Sequence, residues 1–438
     1  MLSLPLSLLL AASTTLAAPT AGTFNILTLN VAGLPAILNG NDIPGDKTVN
    51  TGLIGQYFST YNFSIIHVQE DFNYHAALYE TDDHPYRTAT SGGVPFGSGL
   101  NTLSNFDWID LERTKWDTCS SSGGDCLTPK GFTFMRVKVS EGVWIDAYNV
   151  HTDAGIEASD LTARASNLQQ VSTHIKAYSS SNPVLVFGDS NSRYTRAGDI
   201  PSIFTTANGM TDPWISLALS GKTPVAGTDA LLCENPSATT ACEIVDKVWY
   251  RGSPAVTLTA TQFRYAGSMF LQPDGNVLSD HDPVLVDFSW SLGAKLRLSD
   301  PYGGPHGDFF NDLDTLSSIS APAVSTITLR GGNRVDSVSV ALTSGQTLAH
   351  GGSGGTAASL TLAAGETLVS ATVCQGQYSS QTRIFYIEVT SSKGRVVSTG
   401  KKTSECMTRT ADAGWAITGF VGRSGDEVDR VGFVFSKV

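Results

Sequence analysis

Short apolar runs that end in polar side chains recur along the first two thirds of the chain. Six of them carry possible metal ligands or proton carriers: FNILTLNVAG with Asn30, SIIHVQE with Glu70, VWIDAYNVH with His151, PVLVFGDSN with Asp189 and Asn191, IVDKVWY with Asp246, and LSDHDPVLVDF with Asp280 and His281. Such runs predict buried strands, and the junctions between strands and loops commonly carry chemistry on a rigid scaffold. We therefore expect the six polar clusters to meet in one site.

A helix-like segment separates two of these runs. In SDLTARASNLQQVSTHIKAY the apolar residues recur at helical spacing, and Ser159 or Asp160 can cap the helix. Strands interleaved with helices predict an α/β fold in which helices cover the sheets, and we assign it to residues 22–290.

The pattern changes after Trp290. Glycine pairs and short Ser/Thr/Val runs with alternating apolar positions replace the helical spacing, which predicts an all-β domain over residues 301–438. Residues 291–300 are the predicted linker. A chain of 438 residues is long enough for two domains. Its net charge of -12 argues against a broad basic surface for nucleic acid, although a bound metal ion could itself neutralise a phosphodiester.

The N terminus and the cysteines indicate an extracellular protein. Residues 1–18 form an apolar stretch followed by small residues, which is typical of a secretory signal peptide. A transmembrane anchor is the alternative, but the apolar core is short for a span of about 30 Å. Fifteen pairings of six cysteines are possible. We favour the nearest-neighbour set: Cys119 with Cys126, Cys233 with Cys242, and Cys374 with Cys406. Asn62 begins an N-x-S sequon for glycosylation.

The polar clusters suit the hydrolysis of a phosphodiester. Glu70 and Asn30 offer the oxygen ligands that Mg²⁺ prefers. Asp189 and Asn191 lie two residues apart at a strand end, which predicts that both side chains point the same way. His281 is the candidate base. Asp280 would point to the other face of a regular strand, so Asp246 is our candidate for orienting His281.

These motifs resemble those of the endonuclease/exonuclease/phosphatase superfamily, and most closely its secreted sphingomyelinase-like phospholipases C. The resemblance implies a four-layer α/β sandwich and a divalent metal, most commonly magnesium. It implies that Asn30 and Glu70 bind the metal, that Asp280 holds a second metal, and that His151 donates to the phosphate or the leaving group. Asp189 and Asn191 would then position the nucleophile and the phosphate, and His281, oriented by Asp246, would act as the base. Ser190 stands where the family has an aromatic residue, and we expect its side chain to face away from the site.

The second domain resembles the jacalin-related lectins, which implies a β-prism of three four-stranded sheets. The strongest match is GRSGDEVD, where Asp429 and the backbone of Asp426 and Glu427 would bind sugar hydroxyls. Gly303 or Gly304 would add a backbone contact.

The sequence therefore predicts a secreted, metal-dependent phosphodiesterase with a carbohydrate-binding domain. Its expected substrate is a lipid rather than a nucleic acid, with peripheral contact to a membrane. The alternatives are a secreted deoxyribonuclease-like nuclease and a carbohydrate-binding effector whose hydrolase domain is inactive.

Overall fold

The computed structural model describes residues 19–39 and 41–438. The predicted signal peptide, residues 1–18, lies outside this range. Among the described residues, no helix is both long enough and apolar enough to cross a membrane.

The first unit contains eleven strands in the described part of the chain. They are β1 (Ala21–Asn30), β2 (Ile65–Gln69), β3 (Tyr86–Arg87), β4 (Asn101–Ser104), β5 (Trp108–Lys115), β6 (Gly131–Ser140), β7 (Val143–His151), β8 (Val184–Asp189), β9 (Asp246–Arg251), β10 (Val256–Tyr265) and β11 (Val284–Leu292). One sheet has the order β10-β11-β1-β2-β4-β3 and the other the order β5-β6-β7-β8-β9. The α-helices of this unit are α1 (Lys47–Tyr61), α2 (His75–Thr81), α3 (Ala158–Tyr178) and α4 (Ile203–Asn208).

The two sheets face each other, and helices cover their outer sides. Alternate residues of a strand point to opposite faces of the sheet. Ile26 therefore packs between the sheets, whereas its neighbour Leu27 packs outward against Phe58 of α1. On the other side of the sandwich, Val150 of β7 packs against Leu168 of α3. This arrangement confirms the predicted four-layer α/β sandwich.

Helix α3 begins slightly earlier than the sequence predicted. Its N-cap is Glu157 rather than Ser159 or Asp160. Asp160 contributes instead from the third helical position, where its Oδ2 accepts a hydrogen bond of 3.0 Å from the Glu157 N–H. This reciprocal capping box satisfies donors at both positions.

The second unit is all-β apart from a short helix, α5 (Leu313–Ser317). Its strands are β12 (Leu296–Leu298), β13 (Tyr302–Gly303), β14 (Asp308–Asn311), β15 (Val324–Gly331), β16 (Val335–Leu342), β17 (Thr347–Gly351), β18 (Thr356–Thr361), β19 (Leu368–Tyr378), β20 (Gln381–Ser391), β21 (Val396–Gly400), β22 (Glu405–Thr410), β23 (Trp415–Ser424) and β24 (Val428–Lys437). They form three sheets: β12-β24-β23-β14 with β13 also paired to β24, β17-β16-β15-β18, and β21-β20-β19-β22. The predicted β-prism is confirmed.

One sheet of the prism has five strands instead of the expected four. The fifth arises because β12 and β13 pair in succession with the same strand, β24. Pro301 lies between them, and a proline has no N–H to donate to a strand ladder. The two segments together form one interrupted edge strand.

The predicted linker, residues 291–300, is largely structured. Strand β11 continues to Leu292, and β12 already belongs to the second unit. The Asp300 carboxylate accepts hydrogen bonds from the Gly142 N–H at 2.8 Å and from the Trp144 indole at 3.0 Å. The two units are therefore packed together around the β6–β7 turn.

All three predicted disulfide pairs are formed. Cys119 is bonded to Cys126, Cys233 to Cys242 and Cys374 to Cys406. The first two each close a loop of the first unit, and the third joins β19 to β22.

Candidate active site

Strand direction brings the predicted site residues to one end of the sandwich. Asn30 ends β1 and Glu70 follows β2, which runs parallel to β1. His151 and Asp189 end the parallel strands β7 and β8, and Asp246 begins β9 directly opposite Asp189. We call this end of the molecule the site end.

Asn30 links the two sheets through its amide group. Its Nδ2 donates to Glu70 Oε1 and to Asp189 Oδ2, each at 3.2 Å, while its Oδ1 accepts a hydrogen bond of 3.0 Å from the Ala32 N–H. The amide nitrogen, rather than the oxygen predicted to bind a metal, therefore faces the carboxylates. The second Glu70 oxygen, Oε2, is buried and has no partner among the described residues.

Glu70 has a left-handed backbone, with φ 54°. Two glycines allow this conformation in a crowded place. A Cβ at Gly33 would lie 2.2 Å from the Glu70 carbonyl oxygen, and one at Gly99 would lie 3.0 Å from the Glu70 Cα. Strain of this kind is concentrated at functional sites.

His281 and Asp246 form a close pair. His281 Nδ1 lies 2.7 Å from Asp246 Oδ2, and His281 Nε2 lies 3.8 Å from Asp189 Oδ2. Burial opposes protonation, but Asp246 and Asp189 together raise the pKa of His281 well above its ordinary value. The bond to Asp246 fixes the ring so that Nε2 faces the centre of the site.

His151 has the opposite electrostatic character. Burial, with a smaller effect of the Lys130 charge, lowers the pKa of His151 well below its ordinary value. Its Nε2 lies 3.5 Å from Asp189 Oδ2. A neutral imidazole at this position can donate a hydrogen bond without adding charge.

Asn191 does not follow the predicted strand alternation, because β8 ends at Asp189. Its backbone turns left-handed, with φ 46°, and its N–H donates to Asp189 Oδ1 at 3.0 Å. The Asn191 Nδ2 donates to the Thr152 carbonyl at 3.1 Å. The Ser190 hydroxyl donates to the Val245 carbonyl at 2.6 Å.

Asp280 lies at the rim of the site. It is exposed, and its Oδ2 accepts a hydrogen bond of 2.8 Å from Asn41. In the described part of the chain, the group of possible ligands whose atoms lie within 4.8 Å of one another consists of Asp189, Asp246 and His281. The hydrogen bond between His281 and Asp246 accounts for much of that closeness.

The site fits a hard divalent cation. Glu70 Oε2 and Asp246 Oδ1 are both buried carboxylate oxygens without a partner among the described residues. Magnesium prefers oxygen ligands and commonly binds through one or two carboxylates. Asn30 could add its oxygen only if its amide turned round.

Lys130 is a site residue that the sequence reasoning missed. It pairs with Asp125 beside the Cys119–Cys126 disulfide. Burial raises the pKa of Glu70, and Lys130 is the strongest of the charges that oppose this rise. The signal available in the sequence was its position directly before β6, whose first residues pair with the end of β7.

Comparison with protein-family models identifies both domains. The model of the Endonuclease/Exonuclease/phosphatase family 2 matches residues 46–222, and that of the Jacalin-like lectin domain matches residues 299–434. The chain carries one domain of each family.

Curated relatives match more than half of the chain. Sphingomyelinases of Mycobacterium bovis and Mycobacterium tuberculosis are 35% identical over 276 residues, which cover 61% of this chain and 53% of those proteins. The chain thus spans about half the length of the curated relatives it matches.

Solved structures also match each part of the chain. A humanized D. rerio TDP2 carrying 14 mutations is 15% identical and covers 61% of this chain and 98% of its own, with a TM-score of 0.45. Wild-type Malaysian banana lectin is 21% identical and covers 32% of this chain and 98% of its own, with a TM-score of 0.29.

In the Jacalin-like domain, the predicted sugar residues lie together. The Gly304 N–H donates to the Asp429 carbonyl at 2.7 Å, and Gly303 precedes it with φ 125°. Asp429 is buried, which raises its pKa, and its Oδ1 accepts a hydrogen bond from Arg383. Asp426 is exposed in the same loop.

Glu427, in the same loop as Asp426, is engaged by a cation from another part of the domain. Its two carboxylate oxygens accept hydrogen bonds from the guanidinium of Arg334. Arg334 lies in the turn between β15 and β16, and Arg383 lies in β20. Both are distant in sequence from the GRSGDEVD motif, so the motif alone could not reveal them.

Proposed function

We propose that this protein is an extracellular, divalent-metal-dependent phosphodiesterase that cleaves phosphosphingolipids in the manner of a phospholipase C. The observation that carries this proposal is the convergence of Glu70, Asp189, Asp246 and His281 at one end of the sandwich. The sphingomyelinase relatives support the choice of substrate class.

We assign each side chain a role in the reaction from its position in the site. In its neutral form, His281 takes a proton from the attacking water through Nε2, and Asp246 holds the ring and stabilises the imidazolium that forms. Asp189 positions the water, and His151 donates a hydrogen bond to the phosphate. When bound at Glu70, a magnesium ion supplies positive charge that neutralises the diester and the leaving oxygen.

Removal of the base tests the proposal. His281→Ala should lower the turnover of sphingomyelin vesicles in the presence of magnesium by at least about a hundredfold, the lower range for loss of general-base catalysis. His306→Ala, in the Jacalin-like domain, is the matched histidine control. Phosphocholine release that survives in His281→Ala would contradict the assignment.

For the nuclease alternative, the candidate arginines around the site are Arg87, Arg193 and Arg196. Arg87 donates to the Tyr79 and Asp82 carbonyls at 2.8 and 2.7 Å, and Arg196 donates to the Asn191 carbonyl at 2.8 Å. Arg87 and Arg196 are therefore engaged within the domain, and the chain carries a net charge of -12. Cleavage of duplex DNA that is lost in His281→Ala would instead favour the nuclease.

The Jacalin-like domain is proposed to bind carbohydrate and to hold the enzyme at glycosylated surfaces. Arg383 bonds one oxygen of Asp429 and leaves the other for a sugar hydroxyl. Even a weak lectin would raise the effective concentration of a tethered enzyme at a surface.

A glycan array tests this part of the proposal separately. Asp429→Ala should abolish glycan binding and leave turnover of a soluble phosphocholine diester unchanged. Glycan binding without any turnover in the wild-type protein would favour the effector alternative.

Secretion and glycosylation complete the proposal. Asn62 is exposed at the C-terminal end of α1, where an oligosaccharide has room. The three disulfides suit an oxidising compartment.

A further inference from the structure

The most exposed apolar side chains lie at the site end of the molecule. In the described part of the chain, the four most exposed large apolar residues are Ile37 at 93%, Phe96 at 85%, Ile156 at 72% and Leu127 at 71%. Each belongs to a different loop. Exposed apolar side chains that cluster on one face of a protein indicate an interaction surface.

Strand topology places the four loops around the candidate active site. The loop with Ile37 follows β1, which ends at Asn30, and the loop with Ile156 follows β7, which ends at His151. Leu127 precedes β6, whose Phe132 pairs with Val150 near the end of β7.

Phe96 completes the ring of loops. It precedes β4, whose Asn101 pairs with Val68 near the end of β2. Glu70 follows two residues after Val68, so this loop also borders the site. We call Ile37, Phe96, Leu127 and Ile156 the apolar tips.

Hydrogen bonds within the loops restrain the backbone beside the apolar tips. The Lys47 ammonium donates to the carbonyls of Ala32, Leu34 and Asn39 at 2.8, 3.0 and 2.8 Å, which fixes the loop that carries Ile37. The Phe96 N–H donates to the Gly93 carbonyl at 2.8 Å.

Similar restraints hold the other two tips. Leu127 directly follows Cys126 of the Cys119–Cys126 disulfide. Ile156 lies between Gly155, whose carbonyl accepts a hydrogen bond of 3.0 Å from Arg164, and the N-cap of α3. Pre-organised tips lower the cost of ordering these loops on binding.

The lack of basic residues in two of the loops indicates which kind of lipid surface the apolar tips could bind. Residues 31–46 and 88–100, which carry Ile37 and Phe96, contain no Lys or Arg. With a net charge of -12, the chain is not attracted to anionic lipids. Insertion of apolar side chains is a binding mode that does not need that attraction.

We propose that the apolar tips insert into a zwitterionic lipid bilayer and dock the site end onto it, so that a lipid phosphodiester reaches Glu70 and His281 without leaving the membrane. This inference rests on the proposed function and deepens it. It assigns the membrane contact to the endonuclease/exonuclease/phosphatase domain, independently of the lectin.

Vesicle binding tests the inference. Full-length wild-type protein and the double variant Ile37→Ser/Phe96→Ser are sedimented with vesicles of phosphatidylcholine and sphingomyelin, in a chelator that prevents turnover. Because two apolar side chains would no longer insert into the bilayer, binding should weaken about a hundredfold. Val396→Ser, at a residue that is 52% exposed in the second domain, is the matched control and should bind normally.

Turnover of a soluble phosphocholine diester separates the two proposals. The double variant should hydrolyse this substrate like the wild type and fail on vesicles. If the wild type does not hydrolyse it, the proposed function fails, whereas vesicle binding still tests the apolar tips on its own.

Three outcomes would overturn the docking proposal. They are unchanged vesicle binding by the double variant, wild-type binding that requires anionic lipid or disappears at high salt, and a wild-type dimer in solution that the double variant converts to a monomer. The last outcome would show that the apolar tips contact a second copy of the chain.

Discussion

At the scale of single residues, the backbone at Glu70 requires a glycine at position 33. A Cβ at Gly33 would meet the Glu70 carbonyl oxygen at 2.2 Å, so Gly33→Ala must displace backbone rather than a flexible side chain. We expect the free energy of unfolding to fall by about 1–3 kcal/mol. Turnover should also fall, because Glu70 moves.

Gly332→Ala is the matched control for this prediction, because a Cβ there meets nothing within 4 Å. The free energy of unfolding of Gly332→Ala should differ from that of the wild type by no more than about 0.5 kcal/mol. Denaturant unfolding and turnover of the soluble diester measure both variants. Equal behaviour of the two would show that the close approach at Gly33 does not restrain Glu70.

The sequence predicted which residues meet better than how they meet. The order of the motifs places Asn30, Glu70, Asp189, Asp246 and His281 at strand ends, and the parallel and antiparallel pairing of those strands then brings them together. It could not show that the Asn30 amide nitrogen faces two carboxylates, because a local pattern does not determine a hydrogen-bond network that joins two sheets.

At the scale of elements, His84 fastens the end of α2 to the start of β2. Its Nδ1 lies 2.6 Å from an oxygen of Asp82, the C-cap of α2, and its Nε2 lies 2.7 Å from the Phe63 carbonyl. Both partners are acceptors, so only the imidazolium can satisfy both contacts. Burial opposes the charge, but Asp82 raises the pKa of His84 above its ordinary value.

This raised pKa predicts a pH-dependent stability. A histidine whose pKa is raised by folding stabilises the protein fully below its unfolded pKa of about 6.5, and the stabilisation disappears as the pH rises through the folded value. The difference in unfolding free energy between wild type and His84→Gln should therefore be largest below about pH 6.5 and shrink in alkaline solution. A difference that grows with pH would contradict the assignment.

The predictions about elements were wrong at the ends of strands and helices, where a local hydrogen bond or turn decides which residue is the last. The alternation argument for Asn191 assumed that β8 continues, whereas the chain turns left-handed directly after Asp189. The edge strand that breaks at Pro301 and the cap at Glu157 are similar cases. Apolar periodicity determines that an element exists, whereas its exact end depends on individual side chains.

At the scale of the whole molecule, the two domains meet at the end opposite the site. The β6–β7 turn, which contacts Asp300, is at the far end of β7 from His151. At this interface Asp110 lies 3.0 Å from Arg136 of its own domain and 2.7 Å from Arg430 of the other. The sequence could not predict this pair, because its members lie 320 residues apart and belong to no motif. The packing leaves the site end free to approach a surface.

Asp110 is therefore expected to couple the two domains. Its carboxylate is 2% exposed, and it also lies 3.6 Å from Arg423. Arg430 and Arg136 hold the pKa of Asp110 below its usual range despite its burial. Asp110→Asn would leave three guanidinium groups together without this carboxylate, and breaking a buried pair costs about 3–5 kcal/mol. Calorimetry should then show separate unfolding of the two domains.

An exposed ion pair between the domains supplies the control. Glu141 is 57% exposed and lies 3.4 Å from Arg409. Exposed pairs contribute about 0–1 kcal/mol, so Glu141→Gln should leave the unfolding transition nearly unchanged. Because the interface is remote from the site, Asp110→Asn should keep its turnover of a soluble phosphocholine diester below the first transition. If both variants unfold like the wild type, the buried arginine cluster does not hold the domains together, and the coupling must come from other interface contacts, such as the hydrogen bonds of Asp300.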